Sequence, residues 1–186
     1  MADPADYLLA LLDVPSRLGE DADATLFCVV DTASDPLIYP ALTQFAAEER
    51  IVPLYQGETA ARLAAAAPYL VEPIADGELL AWLFEEMAET SWGILVWSTA
   101  TLDALRAHFR SLSRVRTEDG TVMLFRLYDP RVLAAFLPSC DAAQLKTVFG
   151  PVTVFGVPVI GTDDIRMFTQ SADGVLEKEV TLEPLL

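Results

Sequence analysis

The chain has a single histidine, His108, and two cysteines, Cys28 and Cys140, far apart in sequence. So few thiolates and imidazoles exclude the usual structural zinc clusters and leave little material for His-dependent catalysis. Basic residues are also scarce: 12 Lys and Arg stand against 28 Asp and Glu, a net charge of −16. A surface that negative repels phosphate backbones and anionic lipid headgroups, so neither nucleic acid nor a membrane surface is an expected partner. Every apolar run is broken by Asp, Glu or Arg before it reaches the roughly 18 residues of a bilayer span. The N-terminal stretch carries Asp3 and Asp6 where an export signal would place Lys or Arg, so a cytosolic protein with reduced cysteines is expected. Glycine-rich phosphate loops, nucleophile-elbow serines, paired-cysteine metal motifs and a helical His-Glu-x-x-His are all missing. No metal, no cofactor and no enzymatic activity are expected.

What is present is a composition able to bury a core: 186 residues, 53% apolar and 22% charged. Disorder of the whole chain is excluded. The charge is unevenly placed. Residues 1–105 hold three basic and 18 acidic residues, residues 106–146 seven basic and four acidic, and residues 147–186 two basic and six acidic. An arginine-rich zone on an acidic body is a candidate protein-docking face, because arginine is favoured at interfaces and the surrounding field orients a partner. The alternative is that these arginines neutralise neighbouring carboxylates within the fold. Arg106, Arg110 and Arg114, spaced four apart, read as one basic ridge on a helix. Reversing Arg106 and Arg110 to Glu is expected to weaken partner binding and leave folding intact.

Hydrophobic periodicity gives alternating strands and helices. Residues 7–12 read as a short helix or apolar arm, and residues 25–31 (TLFCVVD) as a buried central strand. Asp35-Pro36 opens a helix carrying Ile38, Leu42 and Phe45, with Pro40 as a possible kink. Strands follow at 51–55, 69–71 and 92–97, with helices at 58–67 and 77–89, the latter capped by Asp76 and turning Leu79, Leu80, Leu83 and Met87 inward. Ser98 or Thr99 caps a helix with Leu102, Leu105, Phe109 and Leu112 on its buried stripe. Asp119-Gly120 marks a hairpin, Asp129-Pro130 opens a helix, and Asp141 caps another that ends at Gly150-Pro151. Strands at 152–159, 164–170 and 174–183 complete the chain. The fold class is α/β, leaning to α+β: a mixed sheet flanked by helices, with a strand-rich C-terminal tail. Three segments are expected: an N-terminal arm or helix (1–24), a core (25–152), and a β-rich extension packed on it (153–186).

Candidate chemistry is sparse. Asp31, Asp35 and Asp129 could pair as acid and base in a hydrolase, but Asp35 and Asp129 each precede a proline at a helix start, where capping accounts for them. Trp92 and Trp97 have the spacing of a strand core. Arg126, Tyr128, Asp129, Pro130 and Arg131 form a compact R-x-Y-D-P-R element at a strand-to-helix corner. Its guanidinium groups and carboxylate can build a hydrogen-bonded cluster, with Arg131 paired either within the fold or to a partner.

Six phrases occur in order: FCVVDTASDPLIYPAL (27–42), LYQG (54–57), APYLV (67–71), SWGIL (91–95), LFRLYDPRVLAAFL (124–137) and VFGPV (148–152). Together they resemble the adaptor-chaperone family of bacterial type VI secretion, long catalogued as a domain of unknown function, over about residues 25–152. The resemblance implies a non-enzymatic cytosolic adaptor that holds a cognate toxic effector and helps load it onto the secretion spike protein. Many relatives carry an extra helical lobe after this core; here only the strand-rich tail follows. On this reading the partner-binding candidates are Arg106, Arg110, Arg114, Arg126, Tyr128 and Arg131, and the structural motif residues are Asp35, Pro36, Trp92, Asp129 and Pro130. A small acidic immunity-type inhibitor is the alternative.

Overall fold

Helix and strand boundaries follow from a computed structural model, which describes residues 10–45, 50–73, 78–116 and 119–182. The expected cap at Asp76 lies outside them. In chain order the elements are α1 (Val14–Leu18), β1 (Thr25–Asp31), α2 (Ile38–Phe45), β2 (Ile51–Pro53), α3 (Gly57–Arg62), β3 (Pro68–Val71), α4 (Glu78–Glu89), β4 (Gly93–Ser98) and α5 (Leu102–Leu112). They continue with β5 (Arg114–Arg116), β6 (Val122–Leu124), α6 (Pro130–Phe136), α7 (Ala142–Phe149), β7 (Val152–Pro158), β8 (Asp164–Ser171) and β9 (Gly174–Thr181).

The main sheet has seven strands in the order β2-β3-β1-β4-β7-β8-β9, and β5 with β6 forms a separate two-stranded sheet. The expected α/β architecture with a strand-rich C-terminal region is present. Strand directions add what periodicity could not supply: the neighbours pair antiparallel throughout, so the parallel neighbours of a mixed sheet do not occur among these strands. The reason lies in the crossovers. The chain leaves β1 and returns through α2 to β2 in the same direction but one slot away, and antiparallel β3 fills the slot. The step from β3 through α4 to β4 likewise skips over β1. This is the order of a split β-α-β arrangement. The C-terminal strands extend the same sheet, with β7 against β4.

Helices cover both faces, which is why the central strands read as continuous apolar runs instead of alternating ones. Leu26, Cys28 and Val30 of β1 pack on one side with Ile38 and Leu42 of α2 and with Leu79, Leu80, Leu83 and Met87 of α4. Phe27 and Val29 pack on the other with Leu105 and Phe109 of α5, Leu133 of α6 and Leu145 and Phe149 of α7. Trp97 is fully buried, and its indole Nε1 donates to the Leu11 carbonyl at 3.0 Å, tying the N-terminal arm to the sheet. Gly156 makes room for that ring: a Cβ there would lie 2.8 Å from Trp97. Burial pushes the Cys28 thiol up to about 12, so it behaves as a small core residue.

Caps explain where several helices begin, and two differ from expectation. Helix α5 is capped by Thr101, whose hydroxyl accepts from the Ala104 amide at 3.3 Å. Ser98 is consumed earlier, donating to the Pro151 carbonyl at 2.6 Å and accepting from the Ala100 amide at 3.0 Å. Helix α2 begins at Ile38, so Asp35 instead closes the preceding turn, accepting from the Leu37 amide at 2.7 Å. Pro40 therefore falls in the first helical turn, where its missing N–H loses no bond and causes no kink. Asp141 and Gln144 form a full capping box on α7.

Candidate functional site

The R-x-Y-D-P-R element sits where β6 has ended and α6 begins, against the end of β1. Pro130 occupies the first position of α6, and Asp129 Oδ1 accepts from the Arg131 amide at 3.0 Å. The same carboxylate takes the Arg131 side chain in a two-point clasp, Nε to Oδ1 at 3.0 Å and a terminal nitrogen to Oδ2 at 2.7 Å. Arg131 thus finds its partner within the fold. The clasp also offsets the unfavourable placing of a cation at a helix N-terminus. The Arg131 hydrogen bond holds the buried Asp129 carboxyl below its usual range.

Arg126 reaches across the corner to Asp31, the last residue of β1, which is buried. Asp31 also accepts from the Ala33 amide at 3.2 Å and the Ser34 hydroxyl at 3.3 Å, so the carboxylate ties the β1–α2 turn to the corner. The guanidinium of Arg126 stands 5.7 Å from the centre of the Tyr128 ring. Burial, then neighbouring Tyr55 and Asp31, push the Tyr128 phenol above the usual tyrosine range. Tyr128 is therefore a neutral, buried brace. Trp92 is also a packing residue, buried and 5.6 Å from Trp82 between ring centres. Pro36 lies exposed in the turn ahead of α2.

The basic ridge takes a different form from the one its spacing suggests. Helix α5 ends at Leu112, so Arg114 belongs to β5 and only Arg106 and Arg110 share the helix. Arg110 donates to the carbonyls of Pro53, Leu54 and Tyr55 at 2.9, 3.2 and 3.0 Å, and Arg106 to that of Pro53 at 3.3 Å. They are half-buried and hold the β2–α3 connection, so reversing both would not leave folding intact as the spacing suggested. Burial and the Arg106 charge pull Arg110 below the ordinary arginine value. Among the described residues, Arg106, Arg110, Arg114 and Arg116 have no carboxylate within ion-pair distance, whereas Arg126 and Arg131 each have one. The arginine-rich zone therefore splits into an internally neutralised corner and an uncompensated group beside it.

Apolar exposure gathers at the second part. On the hairpin, Val115, Val122, Met123 and Leu124 are 40%, 54%, 52% and 64% exposed. A groove of about 330 Å³ runs between the hairpin and α3, with Leu63, Tyr55, Arg110, Arg114 and Leu124 on its walls. The turn at Asp119-Gly120 predicts an antiparallel pair of residues 114–116 and 121–127, and the pair is present as β5 and β6; its apolar exposure could have been suspected from VML, which lacks the alternation of a half-buried strand. Two further grooves flank Arg131, one of about 380 Å³ beside Leu37, Trp82 and Trp92, the other of about 520 Å³ beside Phe125, Val132 and Phe136.

His108 is half-buried, its Nε2 bonded to the Val148 carbonyl at 2.9 Å, and burial lowers its pKa. Among the described residues no cluster of His, Cys, Asp and Glu is arranged to hold a metal ion, and no helix is long and apolar enough to cross a membrane. A family model described as a domain of unknown function (DUF4123) matches residues 26–147. No curated protein and no solved structure matches the chain.

Proposed function

The chain belongs to the DUF4123 family, and on that premise we propose that it is a non-enzymatic cytosolic adaptor that binds a type VI secretion effector and assists its loading onto the spike protein. The observation that carries the reading is the uncompensated group of Arg106, Arg110, Arg114 and Arg116 beside an exposed apolar hairpin, on a chain of net charge −16. Such a combination of arginine charge that no carboxylate neutralises and exposed apolar area suits recognition of another protein. Five of the six phrases that resemble secretion adaptors fall within the matched span, which includes the R-x-Y-D-P-R corner, and the sixth, at 148–152, follows directly after it. The carboxylates that a hydrolase would need favour the same reading, since Asp31 is engaged by Arg126 and a turn, and Asp129 by Arg131 and a helix amide. The corner acts as scaffold, and the hairpin side is the docking face.

The test is to tag the chain in its own host and identify what co-purifies. Recovery of the product of a neighbouring toxin gene or of a spike protein, together with loss of toxin export when the gene is deleted, is the expected result. Protection from the toxin with export unchanged would mark an immunity-type inhibitor instead.

A further inference from the structure

The β5–β6 hairpin is built in a way that ordinary packing does not explain. It has two strands of three residues, all of them exposed, and a hairpin of that size is marginal in water without something against it. Its register sorts the side chains. Arg114 pairs with Leu124, Val115 with Met123 and Arg116 with Val122. Because side chains alternate along a strand, Arg114, Arg116, Leu124 and Val122 share one face, and Val115 and Met123 the other. Neither strand contains an acidic residue, and β5 has no second strand neighbour among the described residues. The edge of the main sheet offers a contrast. There β9 carries exposed Glu177, Lys178 and Glu179, the kind of charged row that deters pairing with another chain.

From this arrangement we propose that β5 is an acceptor edge for an extended acidic segment of a partner protein, in which acidic and apolar side chains alternate. A strand added beside β5 places every second side chain next to Arg114 and Arg116, where a carboxylate is favoured, and the intervening one next to Val115, where an apolar group is favoured. The groove toward α3, with Leu63 and the Arg110 guanidinium on its walls, receives the side chains that extend past the hairpin. The complementarity is specific to this zone, since the remainder of the chain is strongly acidic and would repel such a segment. The adaptor reading supplies only the identity of the partner.

The experiment titrates the full chain with a short labelled peptide of alternating Leu and Glu, followed by fluorescence anisotropy. An alternating Leu-Lys peptide and a Leu-Glu peptide with the same composition in two blocks serve as controls. The wild type should prefer the alternating Leu-Glu peptide by about tenfold or more, and an Arg114→Glu/Arg116→Glu variant should reverse the preference toward Leu-Lys. Since both arginines are exposed and make no ion pair among the described residues, the variant folds, which its melting temperature checks. Equal binding of the three peptides, a preference for the blocked sequence, or self-association of the chain that disappears in the variant would each overturn the proposal. A toxin captured equally well by wild type and variant would remove this inference and leave the adaptor reading. A clean peptide reversal with no secretion partner in the host would do the opposite.

Discussion

Asp129 and Arg131 place two functions in adjacent turns of chain, and each can be removed separately. Asp129→Ala deletes the α6 cap and should cost about 0.5 to 2 kcal/mol, measured by urea unfolding at neutral pH. The folded state holds the Asp129 carboxyl below its usual range, so the unfolded chain binds the proton more readily. The stability from this group is therefore present above the ordinary carboxylate range and lost as pH falls through it toward the folded value. Arg131→Ala removes the largest cause of that depression. Its stability should fall less between neutral and acid pH than the wild type's, while partner affinity is unchanged. Identical pH dependence in the two proteins would show that the clasp is absent in solution. Arg110→Ala, which removes three hydrogen bonds to the Pro53, Leu54 and Tyr55 carbonyls and leaves Pro53 only the one from Arg106, should cost about 1.5 kcal/mol, whereas Arg114→Ala should stay within about half a kcal/mol.

At the scale of elements, the sequence was most legible where a segment's fate is decided locally. Residues 25–31 form a strand because the five apolar residues Leu26 to Val30 run without a helical period, and α6 and α7 begin where Asp129 and Asp141 stand. The cap of α5 was missed because Ser98 is drawn to Pro151, 53 residues away, leaving Thr101 to do the capping. The same holds for the site. The R-x-Y-D-P-R corner was visible as a local cluster, but Arg110 looked like a free ridge because its carbonyl partners lie 55 to 57 residues earlier. The hairpin makes the clearest prediction at this scale. Replacing residues 114–124 with a Gly-Ser linker should leave the melting temperature of the core close to wild type, since all six strand residues are exposed, and should abolish partner binding. A large drop in melting temperature would mean that the hairpin serves the fold.

For the whole molecule, strand order was beyond reach of the sequence, since it depends on which distant edges meet: β4 lies between β1 and β7, and Arg126 closes on Asp31 across 95 residues. What the chain as a whole shows is a division of charge. An acidic sandwich of helices and sheet carries one zone whose arginines are spent partly on internal carboxylates and carbonyls, while Arg114 and Arg116 stand exposed on the hairpin with no ion pair among the described residues. If that remainder serves a partner, association must be electrostatically steered and must weaken as salt screens it. The decisive measurement is the dissociation constant between the purified chain and the toxin it captures, taken across a range of salt for wild type and for Arg114→Glu/Arg116→Glu. The account predicts that wild-type affinity falls steeply with salt, and that the variant binds about tenfold or more weaker at low salt with little salt dependence. Equal affinities and equal salt dependence in the two proteins would contradict it.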